Sequence, residues 1–108
     1  MKYTTHNEST EINLGMSSLR GCIEVSYADI VKAFGEPMRE GFDDYKSDAE
    51  WTIAFEDGTR ASIYNWKDGI NYCGEQGTPT EQITDWHIGG FDEKALERVS
   101  EVLEGVTA

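Results

Sequence analysis

Two histidines, two cysteines and 21 acidic residues are the groups from which this 108-residue chain could build a reactive centre. Asp85 and His87 stand two positions apart, so an extended segment puts them on one side. With Cys73 added, the residue types of a thiol–imidazole–carboxylate triad are present. None of the local patterns that accompany nucleophilic cysteines surrounds Cys73, however. His87 is therefore expected to be a partly buried ring that donates to backbone. His6 lies in a polar N-terminal stretch and is a poor catalytic group.

Metal and phosphate chemistry is equally thin. Asp43-Asp44-Tyr45-Lys46-Ser47-Asp48-Ala49-Glu50 has the carboxylate density of a calcium loop. It lacks the glycine and the closing glutamate of EF-hand spacing, and it places a lysine among the ligands. Cys22 and Cys73, with 50 residues between them, match no zinc pattern. Gly89-Gly90 ahead of a helix is only a short nest, and Asp92 beside it repels anions. These observations lead to an expectation of no catalytic residue, no metal centre and no cofactor.

The most unusual stretch is Ile63-Tyr64-Asn65-Trp66-Lys67-Asp68-Gly69-Ile70-Asn71-Tyr72, with three large aromatics in ten residues. Tyr64 and Trp66 fall on the face opposite the apolar alternation. Left uncovered, that face is an aromatic binding patch; covered by Tyr72 and Trp86, it is a second small core. As a ligand site it would stack a base between Tyr64, Trp66, Tyr72 and Trp86. Arg60, Asn65 and Lys67 would hold its polar or phosphate groups.

Charge is the strongest global signal. The formal net charge is −12 and the isoelectric point is near 4.4. Such a chain repels nucleic-acid backbones and anionic membranes, which excludes both as direct partners. The acids form two blocks. Glu36 to Asp57 carries eight against Arg39 and Lys46, and Glu75 to Glu104 carries eight against Lys94 and Arg98. Between them lies a near-neutral aromatic segment. One reading is plain solubility; the other is an acidic surface that docks on a basic protein groove.

These side chains must be carried by a small scaffold. The length suits one domain with a radius of gyration of roughly 13 Å. No run approaches the roughly 20 apolar residues of a membrane helix. Met1 to Leu14 is polar without an apolar h-region, which predicts no secretory signal. Residues 1–15 are expected to form a mobile arm, and 16–108 the folded domain. Leu19 to Val25 reads as a strand with Cys22 buried as a small hydrophobe. Both cysteines are expected to be free thiols in a cytoplasm.

Ser26 caps a helix whose apolar face is Tyr27, Ile30, Val31 and Phe34, ended by Gly35. Trp51, Ile53 and Phe55 alternate as a strand. Asp57-Gly58 turns the chain, and Arg60 to Trp66 returns with Ala61 and Ile63 inward. A further short strand is expected through Ile70, Tyr72 and Cys73. One helical turn at 81–83 and a strand at 86–88 follow. The last helix is capped by Asp92, stapled by Phe91 onto Leu96, striped by Ala95, Leu96, Val99, Val102 and Leu103, and closed by Gly105. The class is α+β: a small, mostly antiparallel sheet of four or five strands with two helices on one face, in the order β-α-β-β-(β)-β-α.

The string from Ala49 to Lys67, AEWTIAFEDGTRASIYNWK, together with Trp86-His87-Ile88-Gly89-Gly90, resembles a family of small acidic proteins encoded by bacteriophages and mobile elements. The resemblance spans roughly residues 17–104. It implies a setting in the cytoplasm of a bacterial host and a role among inhibitors of host defence, such as anti-CRISPR or anti-restriction proteins, some of which imitate DNA. It carries over no catalytic residue. The leading expectation is thus a non-enzymatic inhibitor that binds the basic nucleic-acid groove of a host defence protein. Its contacts would be Glu36, Glu40, Asp43, Asp44, Asp48 and Glu50, with Glu75, Glu81 and Asp85 as a second set. A nucleotide-binding sponge built on the aromatic segment, and an immunity protein against a nuclease toxin, stay open beside it. So does the choice between monomer and homodimer.

Overall fold

The computed structural model describes residues 1–8, 12–38 and 46–107. One antiparallel sheet is built from β1 (Tyr3–Thr5), β2 (Ser18–Glu24), β3 (Glu50–Phe55), β4 (Arg60–Tyr64) and β5 (Asp85–Gly90). Their spatial order is β1-β3-β4-β5-β2. Helices α1 (Tyr27–Phe34) and α3 (Lys94–Thr107) pack against each other on one face. A single helical turn, α2 (Ile70–Cys73), and two 3-10 turns at Gly74–Gln76 and Thr80–Gln82 lead from β4 to β5. The class is α+β, as the pattern of elements predicts.

Strand alternation builds the core directly. Trp51, Ile53 and Phe55 of β3, Ala61 and Ile63 of β4, and Trp86 and Ile88 of β5 point under the helices and are buried. The register sets Trp51 opposite Ile63, Ile53 opposite Ala61, and Ile63 opposite Ile88. Ile30 and Phe34 come down from α1, and Ala95, Val99 and Leu103 from α3. Trp51 and Trp86 meet edge to face at 5.4 Å. The Trp51 indole N–H donates to the Gly35 carbonyl at 2.8 Å, which pins the end of α1 to the sheet.

Local signals act where expected at α1. The Ser26 hydroxyl accepts from the Asp29 amide at 3.1 Å, and the Gly35 amide closes the helix on Val31. Helix α3 sits very close to the sheet because two strand positions carry no side chain. A Cβ on Gly90 would lie 2.3 Å from the Ala95 Cβ, and one on Gly21 would lie 2.8 Å from Leu96 Cδ2. At Gly90 the obstacle is a fixed Cβ and a backbone carbonyl, so only glycine allows this approach, whereas at Gly21 it is the movable end of Leu96.

The structure departs from the expected elements at several places. Tyr3–Thr5, placed by the sequence in a mobile arm, form edge strand β1 on β3. Tyr3 packs on Phe34 and Phe55, and its hydroxyl donates to the Ala33 carbonyl. Buried Thr5 and the Asn7 side-chain amide, which donates to the Phe34 and Glu36 carbonyls, hold the segment alongside it. Ile70, Tyr72 and Cys73 are not a strand but the turn α2, since both edges of β4 are already taken by β3 and β5. Helix α3 runs through Gly105 to Thr107 instead of ending there. Phe91, expected to staple onto Leu96, is about half exposed, and the Leu96 side-chain end lies against Gly21. Cys22 is exposed, since the core positions of β2 are Gly21 and Ile23.

Candidate functional site

The largest ordered run of carboxylates lies on α3 and its lead-in. Glu93, Glu97, Glu101 and Glu104 are all exposed, and their spacing of four, four and three places them on one helix face. At 3.6 residues per turn they fall within an arc of about 80°, opposite the buried stripe of Ala95, Val99 and Leu103. The ridge runs about 16 Å, or one charge per roughly 5.5 Å, at 1.5 Å of rise per residue. A single nucleic-acid strand carries one per about 3.4 Å. Counted in carboxylates, and before Arg98 offsets Glu101, the ridge is therefore about two-thirds as dense as a phosphate backbone.

Arg98 ties the two acidic blocks together. Its Nε–H donates to Asp57 at 3.0 Å, and its Nη1–H donates to Glu101 at 3.2 Å. Asp57 sits in the β3–β4 turn, where its carboxylate also accepts from the Thr59 amide. Hydrogen bonds from Thr59 and then Arg98 hold the Asp57 carboxyl down at about 2. The same contact with Asp57 raises the Arg98 guanidinium further. The hairpin tip, with exposed Glu56 and Asp57, is thereby clamped beside the ridge. At the other end of α3, a groove of about 270 Å³ opens against β2, lined by Ile23, Val25 and Leu103 and by Glu24 and Glu104.

The residues proposed from the sequence as partner contacts are not gathered on one element. Glu40, Asp43 and Asp44 lie outside the described residues. Glu36 follows α1, and its carbonyl accepts from Asn7 and meets the His6 ring. Glu75 and Glu81 are exposed on the two 3-10 turns. Glu50 and Asp85 stand on the sheet face away from the helices, at opposite strands of the β3–β4–β5 ladder. Asp48 is half-buried and works internally: it accepts from the Asn65 side chain at 2.9 Å and from the Asn71 amide at 3.1 Å. The glutamates of α3 were not singled out, although their spacing shows the stripe in the sequence itself.

The aromatic segment divides in the same way. Trp86 and Asn65 have no exposed surface, so neither can touch a ligand. Arg60 sits at the far end of β4 from Tyr64 and reaches the Asn13 carbonyl. Tyr64, Trp66, Lys67 and Tyr72 do cluster. Tyr64 meets Trp66 edge to face, and Lys67 Nζ lies over Trp66 at 5.6 Å and over Tyr72 at 5.4 Å. Lys46 Nζ covers Trp66 as well, at 5.4 Å. Lysines therefore already occupy the ring faces on which a base would stack.

The sheet face away from the helices carries a different group. β2 and β5 place Cys22 directly opposite His87, with Asp85 two residues earlier on the same side. One ligand-type atom from each lies within 4.8 Å of the other two. The sequence paired His87 and Asp85 with Cys73, but Cys73 is on α2 and its thiol donates to the Lys67 carbonyl. Tyr64 packs edge-on against the His87 ring at 5.6 Å. Burial, then the neighbouring Glu50 and Cys22, push the Tyr64 phenol upward.

No protein-family model and no curated protein matches the chain. No helix among the described residues is long and apolar enough to cross a membrane.

Proposed function

We propose that this protein is a non-enzymatic acidic binding protein whose α3 ridge occupies a basic, nucleic-acid-binding groove on another protein. The observation that carries the reading is the row Glu93, Glu97, Glu101 and Glu104, exposed along one helix face. The Arg98 clamp adds the hairpin acids beside it. A rigid helix presents carboxylates at fixed intervals, so a partner's lysines and arginines meet a preformed line of charge. Such a surface speeds encounter through electrostatic steering, and its affinity falls with salt. The sequence resemblance to phage and mobile-element proteins supports a host defence nuclease as the partner, and an immunity role against a nuclease toxin would use the same ridge.

The test is displacement. Nucleic-acid-binding proteins from a bacterial lysate are loaded with labelled duplex DNA, and the protein is added at low salt. Release of DNA is expected with the wild-type chain and its loss with E93Q/E97Q/E101Q/E104Q, a variant altered only at exposed positions. Equal release by that variant, or none by the wild type, would refute the proposal.

A further inference from the structure

We propose that Cys22, Asp85 and His87 form a binding site for a divalent transition-metal ion of the Zn²⁺ type, on the sheet face opposite the α3 ridge. The inference rests on geometry that chain order hides. Cys22 is separated from the other two by more than sixty positions, yet the β2–β5 register makes it the direct neighbour of His87. On a strand, residues two apart share a face, so Asp85 joins them. Among the described residues, none of the three donor atoms is engaged in a hydrogen bond or ion pair. Glu24 stands opposite Asp85 on the same face and adds a further carboxylate beside the site.

The three atoms converge; they do not form a chain. All three pairwise separations are within 4.8 Å. A catalytic triad needs a linear order, with thiol and carboxylate on different nitrogens of the ring. A triangle is what a central ion requires. Tetrahedral zinc bonds of about 2.0–2.3 Å imply ligand-to-ligand distances of roughly 3.3–3.7 Å. A contraction of about 1 Å closes the site, and side-chain torsions of exposed residues supply it without moving the strands. Cys22 and Asp85 are exposed and His87 is half-buried.

Donor chemistry selects the ion. A thiolate, an imidazole and a carboxylate suit zinc and its neighbours, whereas calcium and magnesium require oxygen alone. Three protein ligands leave a fourth position for water or a partner's side chain. Binding converts the Cys22 S–H into an S–metal bond and releases one proton to solvent. The overall charge of −12 raises the local concentration of cations and favours occupancy. Because β2 is an edge strand paired with β5, the ion would also clip that edge to the sheet.

Cobalt(II) titration of the reduced, chelator-treated full chain tests the assignment. One equivalent is expected to produce a thiolate-to-cobalt charge-transfer band with the intense visible bands of tetrahedral coordination. Zinc should abolish both by displacement and raise the melting temperature. Cys22→Ser and His87→Ala should lose the charge-transfer band or the tetrahedral spectrum, Asp85→Asn should bind more weakly, and Cys73→Ser should behave as wild type. Circular dichroism confirms that these surface variants fold. The proposal is overturned if Cys22→Ser keeps the charge-transfer band, if Cys73→Ser removes it, or if the wild type gives only the weak spectrum of loosely associated octahedral cobalt.

Discussion

Asn65 is the residue whose removal the structure prices most clearly. Its side chain is wholly buried, and all of its hydrogen-bonding groups are used. The carbonyl oxygen accepts from the Asp48 amide at 2.7 Å and from the Ala49 amide at 3.2 Å. The amide nitrogen donates to Asp48 at 2.9 Å and to Asp68 at 3.0 Å. This one side chain holds the entry to β3 against the exit of β4. In Asn65→Ala the buried Ala49 amide loses its partner outright, at about 1–3 kcal/mol. The Asp48 amide, less deeply placed, loses about 1 kcal/mol more, while the two carboxylates recover water. The sum is about 3 kcal/mol, which for a domain of this size lowers the melting temperature by about 12 °C or more. Urea unfolding followed by circular dichroism measures it, with an unchanged slope expected. Asn65→Asp keeps the acceptor but aims a third carboxylate at Asp48 and Asp68. Its folded-state pKa must therefore rise, so the penalty is absent below the ordinary carboxylate range and complete above the raised value. A loss under about 1 kcal/mol in Asn65→Ala, or an Asn65→Asp deficit that does not shrink with acid, would show that the network is not the fastening inferred here.

Two further outcomes follow from the same geometry. Asp57 titrates at about 2 in the folded chain against an ordinary 3.8, so its contribution to stability is present above 3.8 and disappears as pH falls toward 2; the difference in melting temperature between wild type and Asp57→Asn should close over that window and stay constant above it. Gly90→Ala should be far more damaging than Gly21→Ala, by about 3 kcal/mol against under about 1 kcal/mol in urea unfolding. The new methyl at Gly90 meets the Ala95 Cβ and the Arg60 carbonyl, whereas at Gly21 it meets the movable end of Leu96.

Periodicity made much of the fold legible. The alternation of Trp51, Ile53 and Phe55, the i, i+3, i+4, i+7 face of α1 and the stripe of α3 all mark true core faces. What stayed hidden was long-range pairing. Nothing local says that Tyr3 reaches Phe34 and Phe55, or that β5 lies between β4 and β2. The position of Cys22 turned on that topology. A run such as Cys22-Ile23-Glu24-Val25 does not declare which alternate positions face the helices until Gly21 is seen to receive Leu96. Asn65 was equally ambiguous, since a polar residue between half-buried Tyr64 and exposed Trp66 resembles a ligand contact until its four hydrogen bonds are traced. The acidic stripe of α3 is written in the sequence itself, as the spacing of Glu93, Glu97, Glu101 and Glu104, but the acids are denser at residues 36–57.

The acidic ridge and the proposed metal site occupy opposite sides of the molecule, which decides how far one can influence the other. The ridge is on the solvent side of α3, and a helix with its side chains is about 10–12 Å thick. Adding the sheet places the two charge centres at least about 15 Å apart. At that distance one unit charge acts on another with about 0.3 kcal/mol in water, before screening. With a Debye length of about 8 Å at physiological ionic strength, under 0.1 kcal/mol survives. Loading the metal changes the net charge by only one unit, because the thiol proton leaves as the ion enters. Electrostatics alone therefore cannot make ridge binding depend on the metal under those conditions. Any such dependence would have to pass through β2, the strand that carries Cys22 and also lines the groove beside Glu104 through Ile23 and Glu24. A metal-sensitive affinity for a basic partner that vanished on mutation of the groove, but not with added salt, would point to that strand as the connection.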